Sequence, residues 1–259
     1  MKSAVGKVFD FDDGLGRVPA HRHQNPDGSM GGWVADTAKV AATATIGVNA
    51  KVYDTAEVLG HAVVTDTAQV SGEARIEDNA VIKGSAQVFD RGRVGGKAQV
   101  LGRARIFYDG CVCEHALIGG TARVFDSAEV RGQARILESA SIHGNARATG
   151  GVLVKGHADI SEHALVGEYA LIDDEACVFG WAIVGGEAKV IGEAVISDEA
   201  RVEGGAEVGG HARIGGKVRI AGKSVIRDVE LTAGMYVDQS MGSSMQGLET
   251  MLSLDLEIG

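Results

Sequence analysis

The chain has 259 residues, of which 25 are Lys or Arg and 35 are Asp or Glu, so its formal net charge is −10. This acidic balance argues against nucleic acid and anionic lipid as partners, because both select basic surfaces. No apolar run approaches the ~20 residues that a membrane helix needs, and the N-terminus lacks the pattern of a secretory signal. We therefore expect a cytoplasmic protein that binds neither nucleic acid nor membrane.

Residues 1–32 do not share the repeat that governs the rest of the chain. Apolar and acidic residues alternate in residues 5–13, which predicts a short strand, and the glycines that follow predict a turn. A second turn is predicted at the Asn-Pro-Asp-Gly run of residues 25–28. An irregular segment of this size can cover the open first coil of a solenoid. We predict that residues 1–32 form an N-terminal cap.

From Val34 to Ile226 a branched aliphatic residue returns at every sixth position. Val or Ile fills 32 of these 33 positions, Ala148 fills the other, and alanine occupies most positions two residues earlier. In an extended segment both residues point to the same side of the backbone. The position two residues after the aliphatic one holds Gly or an acidic residue, and Gly and Asp tolerate a positive φ. Each unit therefore predicts a three-residue strand with an inward face, followed by a tight corner.

If three such units, 18 residues in all, form one coil, the outward side chains fall into columns that differ in chemistry. One outward column collects aromatic residues, a second collects aliphatic residues, and the third side is mainly charged. We predict an all-β, single-stranded parallel β-helix of triangular section, with about 11 coils over residues 33–228. Asp and Gly also alternate with a 12-residue period between positions 54 and 96. A flattened, two-sided coil is therefore the alternative.

The six-residue rhythm, the Gly-Gly-Trp-Val run at residues 31–34 and units such as Val-Ser-Gly-Glu-Ala-Arg at residues 70–75 resemble the YdcK-like proteins of bacteria and phages. Those proteins have the fold of the hexapeptide-repeat, or trimeric LpxA-like, superfamily. The resemblance covers about three quarters of the chain and implies a left-handed β-helix. The superfamily includes acyltransferases, γ-class carbonic anhydrases and members without known activity. Its transferase repeat usually has Gly directly after the aliphatic residue, whereas Gly follows two residues later in this chain.

Hexapeptide acyltransferases generally need a loop that projects from the solenoid and helps to bring a basic histidine to the acceptor. No insertion breaks the six-residue register between positions 34 and 226, so a loop of that kind is not expected. We interpret the corner histidines as solvated residues and predict no catalytic residue and no cofactor. An acyltransferase with its site at a subunit interface remains the alternative. The corner histidines are His61, His115, His157, His163 and His211.

The spacing of the histidines disfavours a metal site. Histidines that share a corner are three coils apart, roughly 14 Å, whereas zinc needs ligands at about 2 Å. A γ-carbonic-anhydrase-like site could form only between subunits. His21 and His23 make a candidate ligand pair in the cap, but a proline-flanked turn explains them equally well. Cys111 and Cys113 point outward together at the edge of disulfide range, and the odd number of cysteines suggests a reducing compartment. We predict no metal site.

The aromatic column is the candidate interaction face. Monomeric proteins seldom expose contiguous apolar patches of several hundred Å². We expect another copy of the chain, the C-terminal segment or a protein partner to cover the column, and a sugar-binding platform is the alternative. The aromatic members of the column are Tyr53, Phe89, Phe107, Phe125 and Phe179.

After Ile226 the repeat decays, and the Met-rich residues 229–259 are expected to cap the last coil or to bind a partner. The main functional hypothesis is a non-enzymatic structural or protein-interaction solenoid that forms a homo-oligomer, a trimer or a dimer, through its apolar sides. The interface acyltransferase is one alternative. Filament assembly by end-to-end stacking is another, suggested by a resemblance to polymer-forming bactofilins, although the irregular caps argue against it.

Overall fold

A computed structural model describes residues 7–242. Within this range short strands follow one another at six-residue intervals, and each pairs in parallel with strands one turn away. Three flat sheets result, and they enclose a single core in a triangular solenoid of about 12 turns. The predicted all-β solenoid of 18-residue coils is confirmed, and the two-sided alternative is excluded. The described range contains no helix that is long and apolar enough to cross a membrane.

The strands divide among sheet I, sheet II and sheet III. Sheet I consists of β1 (Val8–Asp10), β2 (Arg17–Gln24), β3 (Met30–Ala35), Lys51–Val52, Gln69–Val70, Gln87–Val88, Arg105–Ile106, Arg123–Val124, Ser141–Ile142, Asp159–Ile160, Cys177–Val178, Val195–Ile196, Arg213–Ile214 and Glu230–Leu231. Sheet II consists of Lys39–Val40, Glu57–Val58, Arg75–Ile76, Arg93–Val94, Cys111–Val112, Glu129–Val130, Arg147–Ala148, Leu165–Val166, Ile183–Val184, Arg201–Val202, Arg219–Ala221 and Met235–Val237. Sheet III consists of Thr45–Ile46, Val63–Val64, Val81–Ile82, Gln99–Val100, Leu117–Ile118, Arg135–Ile136, Leu153–Val154, Leu171–Ile172, Lys189–Val190, Glu207–Gly209, Val225–Arg227 and Ser240–Met241.

Most strands contain two residues rather than the predicted three. The inward alanine belongs to the corner, because its N–H closes the turn: the Ala62 N–H donates to the Leu59 carbonyl at 3.3 Å. Both inward residues of a unit are nevertheless buried, as Ala62 and Val64 illustrate. Inward residues stack on their counterparts in the next turn, so that Val64 lies in register with Ile82. The core is therefore one continuous column of small and branched side chains.

Acidic and glycine corners alternate between positions 54 and 96 and bind each other. Asp54 has a φ of 59° and Gly72, one turn later, has a φ of 67°. The Asp54 carboxylate accepts a hydrogen bond from the Gly72 N–H at 2.8 Å, and Asp78 binds the Gly96 N–H at 2.9 Å in the same way. Each turn has three corners. If acidic residues and glycine alternate from one corner to the next, then each acidic corner lies against a glycine corner of the following turn. The 12-residue period thus reflects pairing within a triangular coil.

The N-terminal residues extend sheet I with antiparallel strands. β1 pairs with β2, β2 pairs with β3, and β3 joins the solenoid in parallel with Lys51–Val52. The expectation of a proline-flanked turn around His21 and His23 is wrong, since both residues lie in β2. The strand predicted within residues 5–13 is present as β1, and the turn at residues 25–28 closes through a 2.9 Å bond from the Gly28 N–H to the Asn25 carbonyl.

One more turn follows the last regular repeat, which is why the solenoid has about 12 turns rather than 11. Glu230–Leu231, Met235–Val237 and Ser240–Met241 each add a strand to one sheet, but their spacing from the previous turn is 15 to 17 residues. The predicted decay of the register is thus a shortened turn. The predicted cap boundaries at residues 32 and 229 stay predictions. The Met-rich residues 243–259 lie outside the described residues.

Candidate interaction surfaces

A ladder of stacked rings runs along the outer face of sheet I. Phe89, Phe107 and Phe125 follow the buried residue of successive strands, so the register places them directly above one another. Their centroids are 5.0 and 4.8 Å apart and their planes differ by at most 3°. Each ring is half-buried: Phe107 and Phe125 have a stacked ring on both faces, and Phe89 has one on the face toward Phe107. The phenyl ladder, defined by these three residues, therefore presents ring edges to solvent, which does not favour the stacked sugar of the platform alternative.

The remaining two residues of the predicted face are separate from the phenyl ladder. Tyr53 stacks on Phe11 with a centroid distance of 4.9 Å, and Phe11 is 2% exposed, so the N-terminal segment covers this end of the column. Ser71 interrupts the column between Tyr53 and Phe89. Phe179 lies beyond a second interruption at Ser161. The structure therefore brings together only three of the five predicted residues.

His143 ends the phenyl ladder and was not predicted as a site residue. Its ring stacks on Phe125 at 4.7 Å. Its Nε2 atom lies 3.1 Å from both carboxylate oxygens of Asp159, and its Nδ1 atom lies 3.9 Å from an Asp126 oxygen. The signal was present in the sequence, because Asp159 falls on the strand of the next turn. These contacts fix the imidazole plane parallel to the phenyl rings.

Sheet III carries an aliphatic band that is more continuous than the sequence indicated. Where a polar residue such as Gln99 or Arg135 precedes the buried strand residue, an aliphatic residue such as Leu101 or Leu137 follows it on the same outer face. Gly119 leaves room beside Leu137, since a Cβ there would lie 3.2 Å from the leucine Cδ2. The single column predicted from the sequence did not include Leu101 and Leu137, which replace the aliphatic residue at the other flanking position. The aliphatic band consists of the half-buried Val63, Val81, Leu101, Leu117, Leu137, Leu153, Leu171 and Ile191.

Sheet II is mainly charged, as predicted, and its charges pair between turns. Arg75 lies 3.7 Å from Glu57, and Arg147 lies 3.3 Å from Glu129. Leu165 and Ile183 interrupt this pattern in two successive strands. The corner beside them carries Trp181, which is 64% exposed and belongs to none of the outward columns defined by the repeat.

The corner histidines have different surroundings, and all five are exposed. His163 stacks on Trp181 with centroids 4.1 Å apart. His211 lies 3.4 Å from Glu193 and 3.3 Å from Asp228, and the His211 backbone N–H and side chain lower the pKa of the Asp228 carboxyl. In residues 7–242, His61, His115 and His157 have no side-chain hydrogen bond or ion pair.

The described residues contain no group of three metal-binding side chains. In the N-terminal region, His21 Nδ1 lies 2.7 Å from Asp36 and His23 Nε2 lies 3.0 Å from the Ala44 carbonyl, so each histidine has its own partner. Cys111 and Cys113 are free thiols. Burial, followed by the neighbouring Cys111, raises the pKa of the Cys113 thiol. A thiol with a raised pKa is a poor nucleophile at neutral pH.

Comparison with known proteins adds no family assignment. No protein-family model and no curated protein sequence matches the chain. The structure itself establishes a β-solenoid whose turns repeat about every 18 residues, as in the β-helix superfamilies.

Proposed function

We propose that this protein is a non-enzymatic interaction solenoid that associates with a second copy of itself through the aliphatic band. The observation that carries the proposal is the continuity of the band: eight successive turns of sheet III each contribute one aliphatic side chain to the outer surface. On the charged sheet II the equivalent positions hold ion pairs such as Arg147 with Glu129. Burial of the band in an interface would remove its apolar surface from water.

The band has the dimensions of a protein interface. Eight turns at ~4.8 Å span roughly 34 Å along the solenoid, and one six-residue side is at most about 20 Å wide, giving on the order of 700 Å². Stable complexes bury about 800 Å² per partner. Each aliphatic side chain is already half-buried, so each adds only a small buried area to the interface. The free energy of association must therefore come from many such contacts, which a flat face can make at the same time.

The simplest assembly is a twofold dimer in which each band packs on its own copy. A trimer would require each chain to use two different surfaces, and the phenyl ladder on the adjoining sheet I would be the second. The resemblance to the YdcK-like, left-handed hexapeptide-repeat proteins supports self-association. It also keeps the acyltransferase alternative, in which a corner histidine beside sheet III, such as His115 or His157, would face the seam between copies.

Light scattering after size-exclusion chromatography tests the proposal. The chain mass is 26.8 kDa, so a dimer or trimer is readily distinguished from a monomer. We expect Leu117→Glu with Leu137→Glu to give a monomer, whereas Arg93→Glu on sheet II should leave the mass unchanged. Phe107→Asp with Phe125→Asp should leave a dimer intact and break a trimer. A monomeric wild-type protein would refute self-association, and copurified coenzyme A would favour the acyltransferase instead.

A further inference from the structure

Trp181 is a large exposed aromatic side chain on an otherwise rigid corner. It follows sheet I and precedes the strand Ile183–Val184 of sheet II. His163 occupies the same corner one turn earlier, and the two rings are 4.1 Å apart with planes 15° from parallel. One face of the indole therefore rests on the imidazole. Its other face is directed toward the next turn, where the same corner carries Glu199.

The free face of the indole borders a depression with mixed chemistry. Trp181, Ile183, Glu199 and Arg201 line this depression. The only ion pair of Glu199 within residues 7–242 is with Lys217 at 3.8 Å, and both side chains are more than half exposed. Arg201 has no ion pair among the described residues. Both the solvent-exposed Glu199 carboxylate and the Arg201 guanidinium can therefore reach a ligand that lies against the indole.

We propose that this corner of the solenoid is a saccharide-binding site. A pyranose ring has an apolar C–H face and a rim of hydroxyl groups. It would stack its C–H face on Trp181 while Glu199 accepts and Arg201 donates hydrogen bonds at the rim. Successive turns are ~4.8 Å apart, which is the spacing that a ring stacked on an aromatic side chain occupies. His163 holds the indole in place from behind.

The same side of the solenoid extends the site toward a second aromatic residue. Tyr169 is 75% exposed at the far corner of sheet II. Its ring lies flat over Gly151, where a Cβ would be 2.8 Å from the tyrosine Cδ1. Gly167 and Gly185, together with Leu165 and Ile183, line a shallow trough on the outer face of sheet II, which lies between the two corners. The six residue steps from His163 to Tyr169 span at most about 20 Å, so the trough suits an oligosaccharide rather than a single sugar.

A second copy of the chain fits this surface less well than a saccharide does. Packing protein over the depression beside Trp181 would bury Arg201, which has no ion pair among residues 7–242, and a buried charge without a partner is costly. Hydroxyl groups can satisfy both Arg201 and Glu199 at a site that stays open to water. The saccharide site is on sheet II and is independent of the aliphatic band on sheet III. The two proposals can therefore fail separately.

Titration of the full-length protein with chitohexaose, cellohexaose and maltohexaose tests the site, with calorimetry and tryptophan fluorescence as readouts. We expect at least one hexasaccharide to bind, Trp181→Ala to weaken binding at least about fivefold, and Tyr169→Ala and Glu199→Gln to weaken it less. Trp33→Phe in the N-terminal region is the matched control and should bind like the wild type.

Three results would overturn the inference. The first is absence of binding by all three hexasaccharides up to ~10 mM, which corresponds to a negligible affinity. The second is equal affinity for the wild type and both the Trp181→Ala and Glu199→Gln variants. The third is a drop in the oligomeric mass of Trp181→Ala, because that would identify the corner as a contact between copies. The Leu117→Glu, Leu137→Glu variant should keep its affinity for the saccharide whatever its mass.

Discussion

Ala148 is the only small residue among the inward aliphatic positions, and its effect on the core can be tested by a double-mutant cycle. Val152 stands where most units have alanine, four residues later across the corner that joins sheet II to sheet III. Both side chains are fully buried. We infer that the larger Val152 fills the space that Ala148 leaves. A single substitution that restores the usual residue at only one position, either Ala148→Val or Val152→Ala, should therefore lower the stability of the protein.

The expected magnitudes follow from packing. Ala148→Val alone adds volume to a filled interior and should destabilise the protein by about 1–2 kcal/mol. Val152→Ala alone removes buried methyl groups and leaves a cavity, at a cost of about 2 kcal/mol. The double variant has the pattern of the other turns and should lose less than about 1 kcal/mol. The resulting interaction energy is about 2–3 kcal/mol, the upper part of the range for residues in contact.

Guanidinium-induced unfolding followed by far-ultraviolet circular dichroism measures these differences, provided that the m-value is the same for all four proteins. A second double-mutant cycle, with Val112→Ala and Ala116→Val two turns earlier, is the matched control. It introduces at positions 112 and 116 the residues found at 148 and 152, and its interaction energy should have the same sign. Additive effects within about 0.5 kcal/mol, or stabilisation by Ala148→Val alone, would show that Val152 does not compensate for Ala148.

Two further predictions concern the corners. Gly96→Ala should destabilise the protein by about 2 kcal/mol or more, because φ at this position is +68° and the new Cβ would lie 2.8 Å from the Glu114 backbone N. Gly95→Ala is the control and should change stability by less than about 0.5 kcal/mol, because the nearest atom to its new Cβ would be 3.6 Å away. Equal midpoints of the two variants in denaturant would contradict this prediction. Ser224→Ala introduces the residue that most units have at this inward position, yet it should destabilise the last turn by about 1–2 kcal/mol. The reason is that the Ser224 hydroxyl accepts a hydrogen bond from the Gln239 N–H at 3.2 Å. Unchanged hydrogen exchange in residues 235–241 would be inconsistent with that role.

The sequence predicts the fold well because the six-residue repeat determines both the inward side chains and the corners. Even the 12-residue signal that favoured a flattened coil has a simple origin in Asp54 binding Gly72 one turn later. With three corners per turn, an acidic corner in one turn is always followed by a glycine corner in the next, so the signal is also what a triangular coil produces. The shortened final turn could not be predicted in the same way. Its strands depend on contacts such as those of Ser224 rather than on the spacing of aliphatic residues.

The surfaces are less predictable than the fold because two outward positions flank each buried strand residue, and either one can carry the apolar side chain. Tyr53 and Phe179 share the outer face of sheet I with the phenyl ladder, but Ser71 and Ser161 separate them from its stacked rings. The aliphatic band is divided between two columns, because Leu101 and Leu137 lie on the other side of the buried strand residue. Residues that flank one inward position share an outer face, so both flanking columns must be considered together.

A register without insertions limits where function can reside in this protein. The inward alanine and aliphatic residue are committed to the core, and the corner glycine or acid is committed to the bond between turns, as Asp78 and Gly96 show. Each unit therefore has only its two outward strand residues and its exposed corner residue free to vary. Along sheet II these positions mostly form ion pairs such as Arg147 with Glu129, which the solenoid explains by itself. Leu165, Trp181 and Ile183 stabilise neither the core nor a corner. These three residues are therefore the part of sheet II that remains available for a ligand, and the proposed saccharide would lie against them.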